Sequence, residues 1–342
     1  MMKWYFSTVW NESLENRVER ELKPRERIWA SEITGSMIDR YLKMNAVKPT
    51  NPPNPRSLRK FEAGNMMEWL VGVVLKRAGI LISNQDWLQF QYPGLYPVTG
   101  KLDYFAGGKP DWDKAKHEVK VLELPQFFSK ATDAIIAHFA DKYPNGLEKI
   151  VLEIKSCSNF MMERYEKKGV NIGHALQSFH YLKAKNMEEA HVVYICKDDL
   201  RMAEFPVNNP SAELLVNYED IYKSDILAIT HHHKNKIQPE KEKEIYFDDI
   251  VCKFSANWKV GYSNYLTMLY GYVTQKEYDD KYKPIVSRFN RVLKRCVTNQ
   301  KMTDKNKIVI EEIRVMFPNF DDILSLAMKD PSGIIDEPEE EI

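Results

Sequence analysis

Near the middle of the chain, the run Ile150-Val-Leu-Glu153-Ile-Lys155-Ser156 sets an acid and a base inside an otherwise apolar stretch. Its β-branched and apolar residues predict a mostly buried strand. On a strand, positions two apart project to the same side. Glu153 and Lys155 therefore stand together, while Ile154 enters the core on the other face. Burying such a pair costs free energy unless something uses it. This chain is thus expected to build a sheet around a strand that carries chemistry.

Two further signatures supply groups that suit the same place. The stretch Tyr96-Pro-Val-Thr-Gly100-Lys-Leu-Asp103-Tyr-Phe105 reads as a strand with Leu102 and Tyr104 on one face and Asp103 on the other. A hard divalent cation takes oxygen ligands. Asp103 and Glu153 from neighbouring strands, with a backbone carbonyl (that of Ile154) and water, meet what Mg²⁺ requires. The stretch Asn171-Ile-Gly-His-Ala-Leu-Gln177-Ser-Phe-His-Tyr181-Leu-Lys-Ala-Lys185 has helical periodicity. Gln177 and Tyr181, four apart, share a face, and Leu176, Phe179 and Leu182 make an apolar one. A paired amide and phenol can orient a phosphate or a metal-bound water.

The order and character of these signatures resemble the PD-(D/E)XK nuclease superfamily, and the Gln-x-x-x-Tyr element narrows the likeness to its RecB-type and lambda-exonuclease-type branch. The resemblance covers roughly residues 28 to 207. In that branch an upstream helix adds an acid or a His in a Gly-x-x-x-His/Glu pattern, and Phe61-Glu-Ala-Gly64-Asn-Met-Met-Glu68 fits it. The resemblance implies that Asp103 and Glu153 hold Mg²⁺ or Mn²⁺, that Lys155 positions the attacking water or stabilises charge, and that Glu68 completes the shell. Gln177 and Tyr181 would support the site and the DNA backbone. The implied activity is that of a metal-dependent deoxyribonuclease, an exonuclease of recombination, repair or phage DNA processing. A rival reading is a catalytically silent nuclease-fold protein that binds DNA or scaffolds a replication or recombination complex.

An E-x-K triplet alone carries little information. A second one, Glu118-Val-Lys120, lies on another plausible strand closer to Asp103. The later triplet is preferred because its preceding residues are uniformly apolar and the Gln177/Tyr181 helix follows after a short loop. Cys157, Cys196, Cys252 and Cys296 form no C-x-x-C pair and read as free thiols. Some RecB-type relatives carry an iron–sulfur cluster on one early and three closely spaced late cysteines, so none is expected here. His231-His-His233 lacks zinc-ligand spacing and reads as a solvated helix end, and His174 and His180 read as packing residues.

Charge bounds the substrate claim. The chain carries 49 basic and 49 acidic residues, a formal net charge of zero, where a nucleic-acid enzyme usually shows a basic footprint. Local candidates for phosphate contacts are Arg56, Arg59 and Lys60, expected just before the Glu68 helix, and Arg164, Lys167 and Lys168, expected in the loop ahead of the Gln177 helix. No apolar run reaches membrane-spanning length, and the start Met-Met-Lys-Trp-Tyr-Phe-Ser lacks a signal peptide's apolar core. A cytoplasmic location is the expectation. The absence of a Walker loop, a dinucleotide fingerprint and a nucleophile elbow means that any ATP-driven unwinding would come from a helicase in trans, alongside a single-strand-binding or recombination protein.

With 342 residues the chain has room for one large domain with additions, or for two. Residues 1–56 are expected to form a helical arm, with helices near 9–22 and 30–44, ending in the Pro-rich run Lys48 to Arg56. A nuclease core over 57–207 follows: a helix over 57–78, a hairpin of strands near 86–92 and 96–105, an insertion over about 107–145 with a helix near 126–142, and a last hairpin over 191–207. The insertion is read as a lid or clamp. Alternating helices and hairpins suit an α/β, restriction-endonuclease-like mixed central sheet flanked by helices. Residues 208–330 read as a mainly helical accessory region, and 331–342 as an acidic disordered tail.

Overall fold

A computed structural model describes residues 21–108, 111–113, 126–208, 217–249, 251–329 and 331. The helix expected near 9–22 falls almost wholly outside the described residues, and the Glu118/Lys120 alternative and the acidic tail lie outside them altogether. The elements in chain order are β1 (Ile28–Trp29), a 3₁₀ turn (Ala30–Glu32), α1 (Met37–Met44), α2 (Pro55–Arg77), β2 (Leu81–Phe90), β3 (Val98–Gly108), α3 (Gln126–Lys142), β4 (Leu147–Cys157), α4 (Asn159–Lys168), α5 (Ile172–Lys185), β5 (Glu189–Cys196), β6 (Met202–Asn208) and α6 (Tyr218–Lys234). Beyond these come β7 (Ile245–Asp248), β8 (Lys253–Ala256), α7 (Trp258–Gly261), α8 (Leu266–Tyr270), α9 (Gln275–Val297), α10 (Asp304–Met316) and α11 (Phe320–Lys329).

The described residues divide into two compact units, one built on a six-stranded sheet and ending at Gln238, the other taking most of its residues from Pro239 onward. In the first, the sheet is mixed and flanked by helices. β2 and β3 form an antiparallel hairpin, β3 and β4 are antiparallel, β4 and β5 are parallel, and β5 and β6 close a second hairpin. The parallel pair needs a crossover, which α4 and α5 provide. On one face, Leu152 and Ile154 of β4 and Val193 and Ile195 of β5 pack with Leu75 and Ala78 at the end of α2 and with Ile136 of α3. On the other, α5 buries Ala175, Leu176, Phe179 and Leu182.

One edge of β3 is interrupted. β2 pairs along β3 from Val98 to Ala106. A strand has two edges, so β1 and β4 share the other, where β1 pairs only at Val98 and Thr99 and β4 only from Tyr104 onward. Gly100 to Asp103 therefore face a gap between two strands.

Several expectations are corrected in detail. β2 begins at Leu81 rather than near 86, because Leu81-Ile-Ser already pairs with the end of β3. Arg56, Arg59 and Lys60 lie within α2 rather than before it: Asn54 caps the helix by accepting from Ser57 N at 2.9 Å, and Pro55 occupies the first turn. Arg164, Lys167 and Lys168 lie on α4 rather than in a loop, since Met162 and Tyr165, three apart, bury one side of that helix. The helix of the insertion is part of the core, because Ile136 is fully buried against α2 and the sheet. The sequence reading set α6 with the C-terminal region, yet its contacts group it with the sheet: the Tyr222 hydroxyl meets His180 Nδ1 at 2.8 Å.

The second unit pairs a short hairpin, β7–β8, with helices. Phe254 on β8 packs in a core with Phe289, Leu293, Ile313 and Phe320. Asn290 braces the hairpin, accepting from Phe254 N at 2.7 Å and donating to Phe254 O at 2.9 Å. Among the described residues, no helix is long and apolar enough to cross a membrane.

Candidate active site

The first signature fills the gap in the sheet, and the third closes it. Gly100 has no room for a side chain: an added Cβ would lie 2.7 Å from Tyr181 Cε1 and 2.9 Å from Ala30 Cβ. That close approach brings the Tyr181 hydroxyl to the Lys101 carbonyl, to which it donates at 3.0 Å. The phenol thus replaces a missing strand partner. At the far end of the gap, where β4 parts from β3, Asp103 Oδ2 accepts from Ile154 N at 2.9 Å.

Glu153 and Lys155 stand together as their spacing requires. Lys155 Nζ donates to Glu153 Oε1 at 2.5 Å and to Gln177 Oε1 at 3.0 Å. Gln177 Nε2 in turn donates to the Tyr181 hydroxyl at 3.1 Å. A continuous chain therefore runs from Glu153 through Lys155, Gln177 and Tyr181 to the main chain of Lys101. Gln177 and Tyr181 are both buried, so their support acts through Lys155 and the β3 backbone.

Glu68 comes from α2. This helix runs close to the sheet because Gly64 and Gly72 lie against it: an added Cβ would be 3.1 Å from Ser156 Oγ at the first and 2.4 Å from the Tyr104 hydroxyl at the second. Tyr104 also donates to the Glu68 carbonyl at 2.7 Å. The Glu68 carboxylate accepts from Gln85 Nε2 at 2.5 Å, and Gln85 takes a left-handed backbone, φ 54°. Nothing in the sequence marks Gln85, because a left-handed turn there uses neither Gly nor Asn.

The charges are unbalanced. Burial and then Asp103 push the Glu68 carboxyl up to about 7, against the pull of Lys155 and Lys101. Burial also raises Asp103 and Glu153 above the usual carboxylate range. Lys155 is held above its ordinary value: burial works to lower it, but Glu153, Asp103 and Glu68 outweigh that. Three carboxyl groups thus face Lys155 and the exposed Lys101, and each of the three holds a proton more tightly than a carboxylate in water.

Among the described residues, no three side chains of the His, Cys, Asp and Glu types converge into a ready-made metal cage; Asp103 is engaged by Ile154 N and Glu153 by Lys155. The donor set nevertheless fits a hard cation. Glu153 is 1% exposed, and its Oε2 is buried with no hydrogen-bond partner among the described residues. An orphaned buried carboxylate oxygen is costly, and Mg²⁺ is commonly held by one or two carboxylates plus water.

The other conspicuous residues do structural work. His174 Nδ1 meets the Tyr194 hydroxyl at 2.8 Å, and burial holds His174 down to about 3 and His180 to about 4. His233 meets the Tyr96 hydroxyl at 3.0 Å, and His232 the Ile237 carbonyl at 3.0 Å, at the end of α6. The four cysteines are free thiols, three of them buried.

The sequence matches no family model and no curated protein. Solved structures similar to this chain include two at low identity. The crystal structure of SSO0001 is 14% identical with a TM-score of 0.37, covering 75% of this chain and 90% of that one. An alkaline exonuclease (LHK-Exo) from Laribacter hongkongensis is 10% identical with a TM-score of 0.32, covering 67% of this chain and 94% of its own.

Proposed function

We propose that this chain is a divalent-metal-dependent nuclease that hydrolyses phosphodiester bonds in DNA. Asp103, Glu153 and the Ile154 carbonyl are the ligands, and Glu68 completes the set. The observation that carries this reading is the unpartnered, buried Glu153 Oε2, near enough to Asp103 and Glu68 for their charges to raise its carboxyl. Bound Mg²⁺ or Mn²⁺ would supply a water of lowered pKa and neutralise charge on the phosphoryl oxygens.

The residues of the chain do the rest. Lys155 keeps its proton and, fixed between Glu153 and Gln177, orients the nucleophile or steadies the phosphoryl charge. Tyr181 ties that pair to the Lys101 backbone, so that β3 and β4 keep their separation at the site. Within this class we assign the chain to the exonucleases of recombination, repair or phage DNA processing. Its net charge of zero favours delivery of DNA by a helicase, a single-strand-binding protein or a recombination protein.

The test uses linear and closed circular DNA, single- and double-stranded, with Mg²⁺, Mn²⁺ or EDTA. Nucleotides should be released from linear DNA only when metal is present, with circles resistant. Asp103→Asn and Lys155→Ala should each lower the rate at least about a hundredfold, the loss of roughly 2.7 kcal/mol of transition-state stabilisation. Unchanged cleavage in either variant, or no cleavage of any substrate with either metal, overturns the reading. Cleavage of circles to discrete fragments overturns its exonuclease part alone.

A further inference from the structure

A strip of aromatic and cationic side chains leads from β1 to the candidate site. Trp29 on β1 and Trp87 on β2 approach with ring centroids 5.5 Å apart. Trp87 is 64% exposed, a large apolar surface left in water in the middle of a strand that pairs along its length. The Arg27 guanidinium lies 4.8 Å and that of Arg25 5.5 Å from the centre of the Trp29 ring. Arg25 is tied to Glu32 at 2.6 Å, whereas Arg27 and Lys101 make no ion pair among the described residues. Glu26, between the two arginines, lines the groove beside Arg25, Arg27 and Trp29 as well as the cavity with Tyr96 and His233.

The strip ends at the carboxylates. Lys101 is the register partner of Trp87 and is exposed. It precedes Asp103 by two strand positions, about 6.6 Å, and its charge reaches both Asp103 and Glu68.

We propose that this strip is a subsite for single-stranded nucleic acid, with Trp87 stacking on an unpaired base and Arg27 and Lys101 holding phosphates on the way to Asp103. The proposal deepens the nuclease reading and rests on it for the destination of the strand. An indole stacks on any base, but only where the face of the base is open, so unpaired strands are the matching ligand. Arg27 spread over Trp29 presents a planar donor to a phosphate. Two phosphate contacts also suit a chain of zero net charge: they give a shallow salt dependence, a slope of about −1.4 in log K against log salt for a single strand.

The test is fluorescence anisotropy of a labelled oligothymidylate in EDTA, which removes cleavage from the readout, with the full chain and its Trp87→Ala and Trp87→Phe variants. A strand of the same length without bases, and a blunt duplex, serve as the other ligands. Trp87→Ala should weaken binding of the oligothymidylate about tenfold while leaving the abasic strand within about twofold, and Trp87→Phe should recover most of the loss. Because Trp87 is exposed, thermal melting should be unchanged. Equal binding by wild type and Trp87→Ala, an equal loss on the abasic strand, an equal loss on the duplex, or no binding by wild type each overturns the subsite. Cleavage with Mg²⁺, measured alongside, separates this proposal from the reading beneath it. Asp103-dependent cleavage with no effect of Trp87 removes the subsite alone, and Trp87-dependent binding without metal-dependent cleavage removes the nuclease reading alone.

Discussion

The two faces of β4 are opposite in character. Leu152 and Ile154 turn to α2 and α3 and join an apolar cluster with Leu75, Ala78 and Ile136. Burying a side chain of that kind stabilises a fold by roughly 1.5–3 kcal/mol. Glu153 and Lys155, the alternate residues, turn to Gln177 and Tyr181 on α5. Glu153 is as buried as the core, yet each buried ion carries an effective penalty of several kcal/mol. One face holds the fold together, and the other is maintained against the fold's own interest. Substitutions on the two faces should therefore separate stability from activity.

The largest effect is expected on the charged face. Glu153→Gln removes the carboxylate whose Oε2 is unpartnered while keeping its shape and an oxygen to accept from Lys155, so nuclease activity should fall by about 10³-fold or more, several kcal/mol of transition-state stabilisation, with no loss of thermal stability. A melting temperature well below wild type would contradict this contrast.

On the apolar face the pattern should reverse. Ile154→Ala should cost about 2–5 kcal/mol of folding stability, read from urea unfolding. The activity of the molecules that remain folded should change little, apart from any shift of the Ile154 carbonyl.

The hydrogen-bond chain behind the charged face is a smaller lever. Gln177→Ala takes one partner from Lys155 and one from the Tyr181 hydroxyl, and loss of an outer partner of this kind typically costs about 10–100-fold. Gly100→Ala reaches the same chain from the other side, by pushing a methyl group into Tyr181. It should destabilise by about 1–3 kcal/mol and lower activity together with Gln177→Ala in a non-additive way.

The smallest effect is a pH dependence away from the carboxylates. His180 is buried neutral, with its value held down to about 4 from an ordinary 6.5. The unfolded chain binds a proton in that window and the folded one does not. The stability contribution is therefore full above about 6.5 and is lost as pH falls toward about 4. Urea midpoints measured from pH 7 to 4.5 should fall less steeply in His180→Gln than in wild type.

Much of this arrangement was legible in the residues, for identifiable reasons. The pairing of Glu153 with Lys155 follows from strand geometry, and the Gln177/Tyr181 face follows from helix geometry; both are local periodicities. Gly100 was visible as part of a signature, but its reason was not, since the contact with Tyr181 spans some eighty residues and a break in the β1–β3–β4 ladder. Gln85 was invisible for a different reason: it takes a left-handed backbone between two residues paired in register with β3, a conformation its own residue type does not favour. The helix over 126–142 is legible from its periodicity, but its packing is not, because burial of Ile136 depends on α2 and the sheet arriving opposite it.

The central claim is that Asp103 and Glu153 form a cation site, and calorimetric titration of the metal-free chain with Mn²⁺ tests it most directly. Wild type should bind Mn²⁺ saturably, and Glu153→Gln, folded to the same melting temperature, should lose that binding. Equal Mn²⁺ affinity in the two proteins would contradict the account.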